Sequence, residues 1–72
     1  IKIYPNPTND LLFINSTKNI KEINLLDLTG KLIHTKKEAL DFEFDMKQLE
    51  TGLYIIKISL ENEVLYKNII KQ

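Results

Sequence analysis

Hydrophobic and polar residues alternate along most of the chain with a period of two. Ile1 and Ile3 flank a lysine, and Phe42, Phe44 and Met46 are separated by acidic side chains. This alternation is typical of β-strands that bury one face and expose the other to solvent. The pattern therefore predicts a chain made mainly of half-buried strands.

The segment LYIIKISL, residues 53–60, carries the strongest strand pattern. It places Tyr54, Ile56, Ile58 and Leu60 on one face. Its other face is also apolar at the start of the segment, which is typical of a strand that lies centrally in its sheet. We therefore expect a central strand here.

Turn-forming residues separate the apolar runs. In LLDLTGKLI, the residues from Asp27 to Lys31 predict a type I turn that Gly30 closes in the left-handed region, joining two antiparallel strands. In SLENEVLY, residues 61–63 predict a second hairpin, with Asn62 the residue best suited to a positive φ.

The segment DMKQLETG precedes the strongest strand and has room for one short helical turn. Leu49 would point inward, and Gly52 would end the turn. No segment supports a long helix.

These signals predict about seven strands and, from them, an all-β fold. We expect a small immunoglobulin-like antiparallel β-sandwich, in which two sheets pack face to face. The predicted strands lie at about 1–4, 10–15, 20–27, 31–37, 41–46, 52–60 and 64–71.

The segment YPNPTND, residues 4–10, is rigid and polar. Pro5 cannot donate a hydrogen bond to a strand, Asn6 is held extended because it precedes Pro7, and Asn9 with Asp10 can form side-chain turns. We interpret the segment as a corner at which the chain breaks its first strand and switches sheets.

Composition limits the function. With 72 residues the chain forms one small domain with little room for a deep pocket. Its ten lysines balance ten carboxylates and it has no arginine, which disfavours nucleic-acid binding.

Cysteine is absent, which fits either a reducing cytosol or a secreted domain without disulfides. Apolar runs are too short to span a bilayer, and because residue 1 is not methionine we expect a piece of a longer chain.

Catalytic chemistry finds little support. His34 is the only histidine, and Ser16 and Ser59 lie in contexts without a recognisable nucleophile geometry. We therefore expect no enzyme, no catalytic residue and no small-molecule substrate.

The acidic side chains Asp41, Glu43 and Asp45 share one strand face. Neighbours on a strand face repeat about 7 Å apart, too far for one compact calcium shell. We interpret them as a solvated edge that resists aggregation, and we expect neither a metal nor a cofactor.

Surface recognition remains as an alternative function. Tyr4, Tyr54 and Tyr66 are possible platforms for a carbohydrate, although tyrosines on strands are more often core or rim residues. Residues 15–17 match a glycosylation sequon, a short and common pattern. The lysines at 57, 67 and 71 lie on the last two strands, where they either line one region or form a solvated edge.

Four segments in order carry a family resemblance: IYPNPTNDLLFI, INLLDLTGKLI, DMKQLETGLYIIKI and YKNIIK. Together they resemble the C-terminal sorting domain, type A, of type IX secretion (Por secretion system) cargo proteins of Bacteroidetes. The likeness covers essentially the whole chain, 1–72.

The resemblance implies a function. Cargo of this family crosses the inner membrane into the periplasm, and the C-terminal domain then directs it through the outer-membrane translocon. A sortase-like peptidase removes the domain at the cell surface. The implied partners are translocon components, this peptidase and an N-terminal cargo domain. The alternative is a fibronectin-like adhesion or carbohydrate-binding module of a surface enzyme.

The resemblance also assigns roles by position. The residues expected to maintain the fold are Tyr4, Pro5, Asn6, Pro7, Asp10, Gly30, Gly52 and Tyr54. The residues expected to be recognised by the secretion machinery are Lys67, Asn68, Ile69, Ile70 and Lys71.

Overall fold

A computed structural model describes the backbone of residues 1–72 and all side chains except those of residues 39 and 40. Five strands account for most of the chain, and the described backbone contains no helix. The strands are β1 (Lys2–Tyr4), β2 (Leu11–Leu26), β3 (Leu32–Asp45), β4 (Gly52–Ser59) and β5 (Val64–Lys71).

The predicted all-β class is confirmed, with five strands where the pattern indicated about seven. The segments predicted at 10–15 and 20–27 join into the single strand β2, and those predicted at 31–37 and 41–46 join into β3. The pairing of β2 with β3 shifts register between Asn15 and Ile20, so an irregularity interrupts the ladder without ending the strands.

The sheet curls because β2 has different neighbours along its length. β3 pairs antiparallel with both halves of β2. On the other edge of β2, β1 pairs with residues 13–15 and β4 pairs with residues 22–26. β5 then pairs antiparallel with β4. β1 and the first half of β2 belong to one layer, which we call the β1 layer. The second half of β2 forms a second layer with β4 and β5, which we call the β5 layer.

One hydrophobic core lies between the two layers, as expected for a small immunoglobulin-like sandwich. Every second residue of β4 points into it, which explains the strength of that strand's pattern. The buried apolar side chains are those of Leu12, Ile14, Ile20, Ile23, Leu25, Phe42, Phe44, Met46, Tyr54, Ile56, Ile58, Leu60 and Ile69.

The turn between β2 and β3 has the predicted form. Gly30 adopts a φ of 87°, and its N–H donates to the carbonyl oxygen of Asp27 at 3.1 Å. The Asp27 carboxylate accepts from the Thr29 hydroxyl at 2.6 Å and from the N–H groups of Thr29 and Lys31 at 2.9 and 3.0 Å. The hydroxyl bond in particular holds the pKa of Asp27 below its usual range.

Two local expectations need correction. The predicted hairpin at residues 61–63 is present, closed by a bond from the Leu60 N–H to the Glu63 carbonyl at 2.8 Å, but Asn62 does not have a positive φ. Among the described non-glycine residues, Glu38 alone has one. The segment before β4 forms a tight turn in place of a helical one, with Leu49 half-buried against the core as expected.

No helix long and apolar enough to cross a bilayer occurs in the described part of the chain.

Removing one methyl group from the core tests the buried face of β4. Ile56 is fully buried, so Ile56→Val should destabilise the domain by about 0.5–1.5 kcal/mol, a large part of the roughly 3–5 kcal/mol typical of this size. Ile70→Val, at a side chain 48% exposed, is the matched control and should change the free energy of unfolding by less than about 0.5 kcal/mol. Equal losses in urea unfolding would contradict the assigned core.

Acid should weaken the turn at Asp27. A carboxyl whose pKa is lowered on folding contributes stability above its unfolded pKa, and this is lost as the pH falls through the lower, folded value. Asp27→Ala should therefore lower the melting temperature at pH 7, and its deficit relative to wild type should shrink once the pH falls below the ordinary value of 3.8. A deficit that stays constant down to pH 2 would show that the charge contributes nothing.

Candidate recognition surface at the C-terminal strand

Within the segment YPNPTND the chain crosses from the β1 layer to β5 at Thr8, before β2 begins back in the β1 layer. β1 pairs with β2 in the β1 layer, ending with Tyr4 opposite Phe13. The Tyr4–Pro5 and Asn6–Pro7 peptide bonds are cis, and Thr8 then forms a parallel bridge with Lys71 of β5. The predicted sheet-switching corner is thereby confirmed, and its second contact is the C-terminal strand.

The side chain of Asn6 takes the place of a neighbouring strand along β5. Its Nδ2 donates to the carbonyl oxygen of Asn68 at 3.0 Å, and its Oδ1 accepts from the Ile70 N–H at 3.1 Å. A primary amide provides both a donor and an acceptor, as a peptide group does. An asparagine at this position can therefore satisfy two backbone groups of an edge strand.

Thr8 continues the same contact with its backbone. Its N–H donates to the Ile70 carbonyl at 2.9 Å, and its carbonyl accepts from the Gln72 N–H at 2.8 Å. Its side chain is 2% exposed, and the Oγ1 hydroxyl donates to the Leu11 carbonyl at 2.7 Å, which fixes the start of β2. We call residues 6–8 the clasp.

The five residues expected to be recognised divide between the two faces of β5. Ile69 is fully buried and Lys71 is 7% exposed, with its Nζ donating to the Gln72 carbonyl at 3.0 Å. Asn68 and Ile70 lie on the opposite, outer face, and their backbone groups hold the clasp. Lys67 is exposed at the rim of the core-facing side. Only Lys67, Asn68 and Ile70 therefore present accessible side chains.

The outer face of β4 and β5 exposes large hydrophobic side chains. Leu53 is 38% exposed, Val64 46%, Tyr66 61% and Ile70 48%. The register places Leu53 opposite Ile70 and Lys57 opposite Tyr66, so these side chains form one surface with a lysine within it. Lys57 thus lies on a different face from Lys67 and Lys71, and the three lysines do not line a common region.

Gly52 and Tyr54, both expected to maintain the fold, have contacts that explain that role. Gly52 starts β4 opposite Lys71 with a φ of 153°, a conformation that strains residues with a Cβ. Tyr54 is 8% exposed, and its hydroxyl donates to the Glu50 carbonyl at 2.6 Å, closing the turn before β4. Both residues support the partner strand of β5.

Tyr4 and Asp10 also make structural contacts. The Tyr4 ring stacks on Phe13 with 5.6 Å between centroids, and its hydroxyl donates to Asn15 Oδ1 at 2.8 Å. The Asp10 carbonyl accepts from the Met46 N–H at 2.7 Å. Asn15, the first residue of the sequon, also donates to Asp41 at 2.6 Å, so its side chain is engaged within the fold.

The candidate catalytic residues are not brought together. His34 is in register with Leu25 and Ser59 with Glu22, and these partners lie three positions apart along β2, roughly 10 Å. His34 and Ser59 are also separated by β2 itself, because β3 and β4 lie on its opposite edges. Ser16 Oγ is bonded to the backbone of Lys18, two residues further along β2. In the described residues, no group of three or more His, Cys, Asp or Glu side chains is arranged to hold a metal ion.

The acidic side chains of β3 lie where an edge was expected. In the described part of the chain β3 pairs only with β2, which leaves its other edge open, and Asp41, Glu43 and Asp45 are all exposed on this strand. Charged side chains protect an open edge against pairing with other chains.

Sequence reasoning missed the role of Thr8. Between a proline and two polar residues it carries no pattern that indicates burial, and its position follows only from the contact with β5. The hydrogen-bonding role of the Asp27 carboxylate had a signal in the sequence. An aspartate two residues before a threonine and three before a glycine is typical of a side-chain turn.

The structure is that of a small antiparallel β-sandwich whose N-terminal segment binds its C-terminal strand. Residues 2–72 match the family model of the secretion system C-terminal sorting domain. The chain belongs to this family, and its function is that of a C-terminal sorting signal for the type IX secretion system. A comparison with curated proteins found no match.

Replacing Asn6 tests the clasp. Asn6→Ala removes two hydrogen bonds to β5, each of which contributes about 0.5–1.5 kcal/mol in solvent-accessible positions. We expect lower stability and faster hydrogen exchange at the Ile70 N–H, which loses its acceptor. The control is Asn9→Ala, an exposed neighbour, which should leave that exchange rate unchanged. Unchanged Ile70 exchange in Asn6→Ala would show that the clasp does not protect the strand.

Proposed function

We propose that this domain is the sorting signal of a cargo protein that lies N-terminal to it. The cargo reaches the periplasm by a separate signal, and the domain directs it through the outer-membrane translocon of the type IX system. A sortase-like peptidase then removes the domain at the cell surface. The partners are thus translocon components, the peptidase and the cargo, and the domain itself performs no catalysis.

The observation that supports a recognition role is the exposed apolar outer face of β4 and β5. A domain this small has little apolar surface to spare, yet four large hydrophobic side chains remain 38–61% exposed on one hairpin. Contiguous exposed apolar surface marks interaction sites in soluble proteins. Within the expected segment 67–71, the side chains that contribute to contact with the machinery are Lys67, Asn68 and Ile70.

Folding and recognition are coupled in this proposal. Ile69 and Lys71 anchor β5 to the core, and the clasp holds its outer edge. The secretion machinery therefore contacts side chains whose positions depend on the folding of the domain. Removing residues 67–72 would unfold the clasp as well as remove the contact, so point substitutions are the more informative test.

The tyrosines argue against an adhesion or carbohydrate-binding module. Tyr54 is buried, Tyr4 lies in the β1 layer with its hydroxyl bonded to Asn15, and Tyr66 lies in the β5 layer. A sugar platform needs aromatic rings on a common surface, and these three rings lie in three separate environments.

A fluorescent reporter tests the address function. The reporter carries an inner-membrane signal at its N-terminus and this domain at its C-terminus, in Bacteroidetes hosts with and without the type IX translocon. We expect translocon-dependent appearance outside the cell with the domain removed. Periplasmic retention of a folded fusion in both hosts would refute the proposed function.

A point variant tests the recognition surface. Ile70→Glu places a charge on an exposed side chain and should reduce export at least tenfold while leaving the melting temperature within a few degrees of wild type. Leu28→Glu makes a leucine-to-glutamate change at an exposed side chain (62% exposed) of the β2–β3 turn, outside β4 and β5; it is the control and should be exported normally. Normal export of Ile70→Glu would place recognition elsewhere on the domain.

A further inference from the structure

We propose that the N-terminal half of β5 pairs edge to edge with the same strand of a second copy of this chain, forming a weak two-fold dimer. This inference concerns the isolated domain and does not depend on the proposed function. It rests on which edge of the sheet is open, on how far the clasp covers it, and on the charges beside the remaining stretch.

The open edges of the sheet differ in their protection. The long edge of β3 carries exposed lysines at 36 and 37 together with the exposed acids at 38, 41, 43 and 45. β1 is only three residues long. β5 instead exposes Val64, Tyr66 and Ile70, with Lys67 as the one exposed charge of the described strand. Edge strands that avoid pairing are short or charged, so β5 is the edge suited to accept another strand.

The clasp divides the β5 edge into a covered and an open part. Asn68, Ile70 and Gln72 direct their bonded groups away from β4 and toward the clasp. Backbone groups alternate in direction along an antiparallel strand, so Val64 and Tyr66 also point away from β4. Within the described chain, no hydrogen bond engages these outward groups of Val64 and Tyr66. The open part is therefore the stretch 63–67.

An open stretch centred on Leu65 is self-complementary. In antiparallel pairing about a two-fold axis at Leu65, Val64 lies opposite Tyr66 of the second copy, and both present outward-pointing backbone groups. Glu63 lies opposite Lys67 of the second copy, on the other face. A branched–aromatic pair and an opposite-charge pair are both favourable across strands. Isologous contact of this kind requires that one surface complement itself.

The charges of Glu63 and Lys67 favour the register centred on Leu65, with a second copy of the chain as the partner. Shifting the axis to Tyr66 would bring Val64 against Asn68, whose carbonyl is already bonded to the clasp. Glu63 and Lys67 are both exposed, and Glu63 has only a 3.9 Å contact with the exposed Lys18 to release. Five paired residues bury far less than the roughly 1,200 Å² of a stable interface, so we expect association only at high protein concentration.

Charge reversal tests the dimer. The isolated domain is examined by sedimentation and by hydrogen exchange of the Val64 and Tyr66 amides, from about 10 μM to about 1 mM, a range suited to a weak interface. Wild type should show a concentration-dependent dimer with rising protection at both amides. Lys67→Glu and Glu63→Lys, each alone, should be monomeric because like charges then face each other. An equimolar mixture of the two variants should associate again, since their charges are complementary.

Lys47→Glu makes the same charge change as Lys67→Glu at an exposed position in the turn between β3 and β4, and it should dimerise like wild type. A wild-type domain that stays monomeric over the whole range overturns the proposal. So does a mixture of the two reversed variants that fails to associate, which would leave the edge to a different partner or to none.

Discussion

The four hydrogen bonds that the clasp makes, three with β5 and one with Gln72 directly after it, are the contact on which the rest of the structure depends. They join a segment near the start of the chain to its last residues, and two of them come from one asparagine side chain. Each such bond contributes about 0.5–1.5 kcal/mol net, so together they approach the roughly 3–5 kcal/mol that a core of this size provides. Without them β4 would be the only hydrogen-bonded neighbour of β5, whose remaining contact is the packing of Ile69 and Lys71 against the core.

The clasp also determines which side chains of β5 lie on the outer face. Because Asn68 and Ile70 bond to it through their backbones, their side chains are fixed on the outer face next to Leu53 and Tyr66. The same bonds cover the edge from Asn68 onward and leave the stretch before it open. One local contact thus separates an exposed apolar face, proposed to be read during export, from an open edge proposed to pair with a second copy.

Much of the fold follows from local chemistry. The rest depends on contacts between residues that are distant in the sequence. The strand predicted at 64–71 has the bounds observed for β5, and Gly30 predicted its turn. The polar run from Ser16 to Asn19 reads as a loop, yet β2 continues through it because β3 pairs on both sides. Asn62 was expected at positive φ on propensity alone, which the hairpin did not require.

The candidate site shows the same division. That residues 67–71 lie on a strand was predictable, and with it the alternation of their side chains. That Lys71 is buried and Thr8 faces β5 was not, because a lysine and a threonine carry no sequence signal for burial and their positions follow from the path of the clasp. The family resemblance assigned Lys71 to the recognition segment and gave Thr8 no role, so the contacts of both residues required the structure.

The most direct test of this account is to measure export and strand protection in the same clasp variant. In a host with a working type IX translocon, a reporter bearing the domain with Asn6→Ala should be exported less than one with Asn9→Ala, in step with the loss of hydrogen-exchange protection at Ile70. Full export of the Asn6 variant, with its Ile70 amide unprotected, would show that the machinery does not require the strand that the clasp organises.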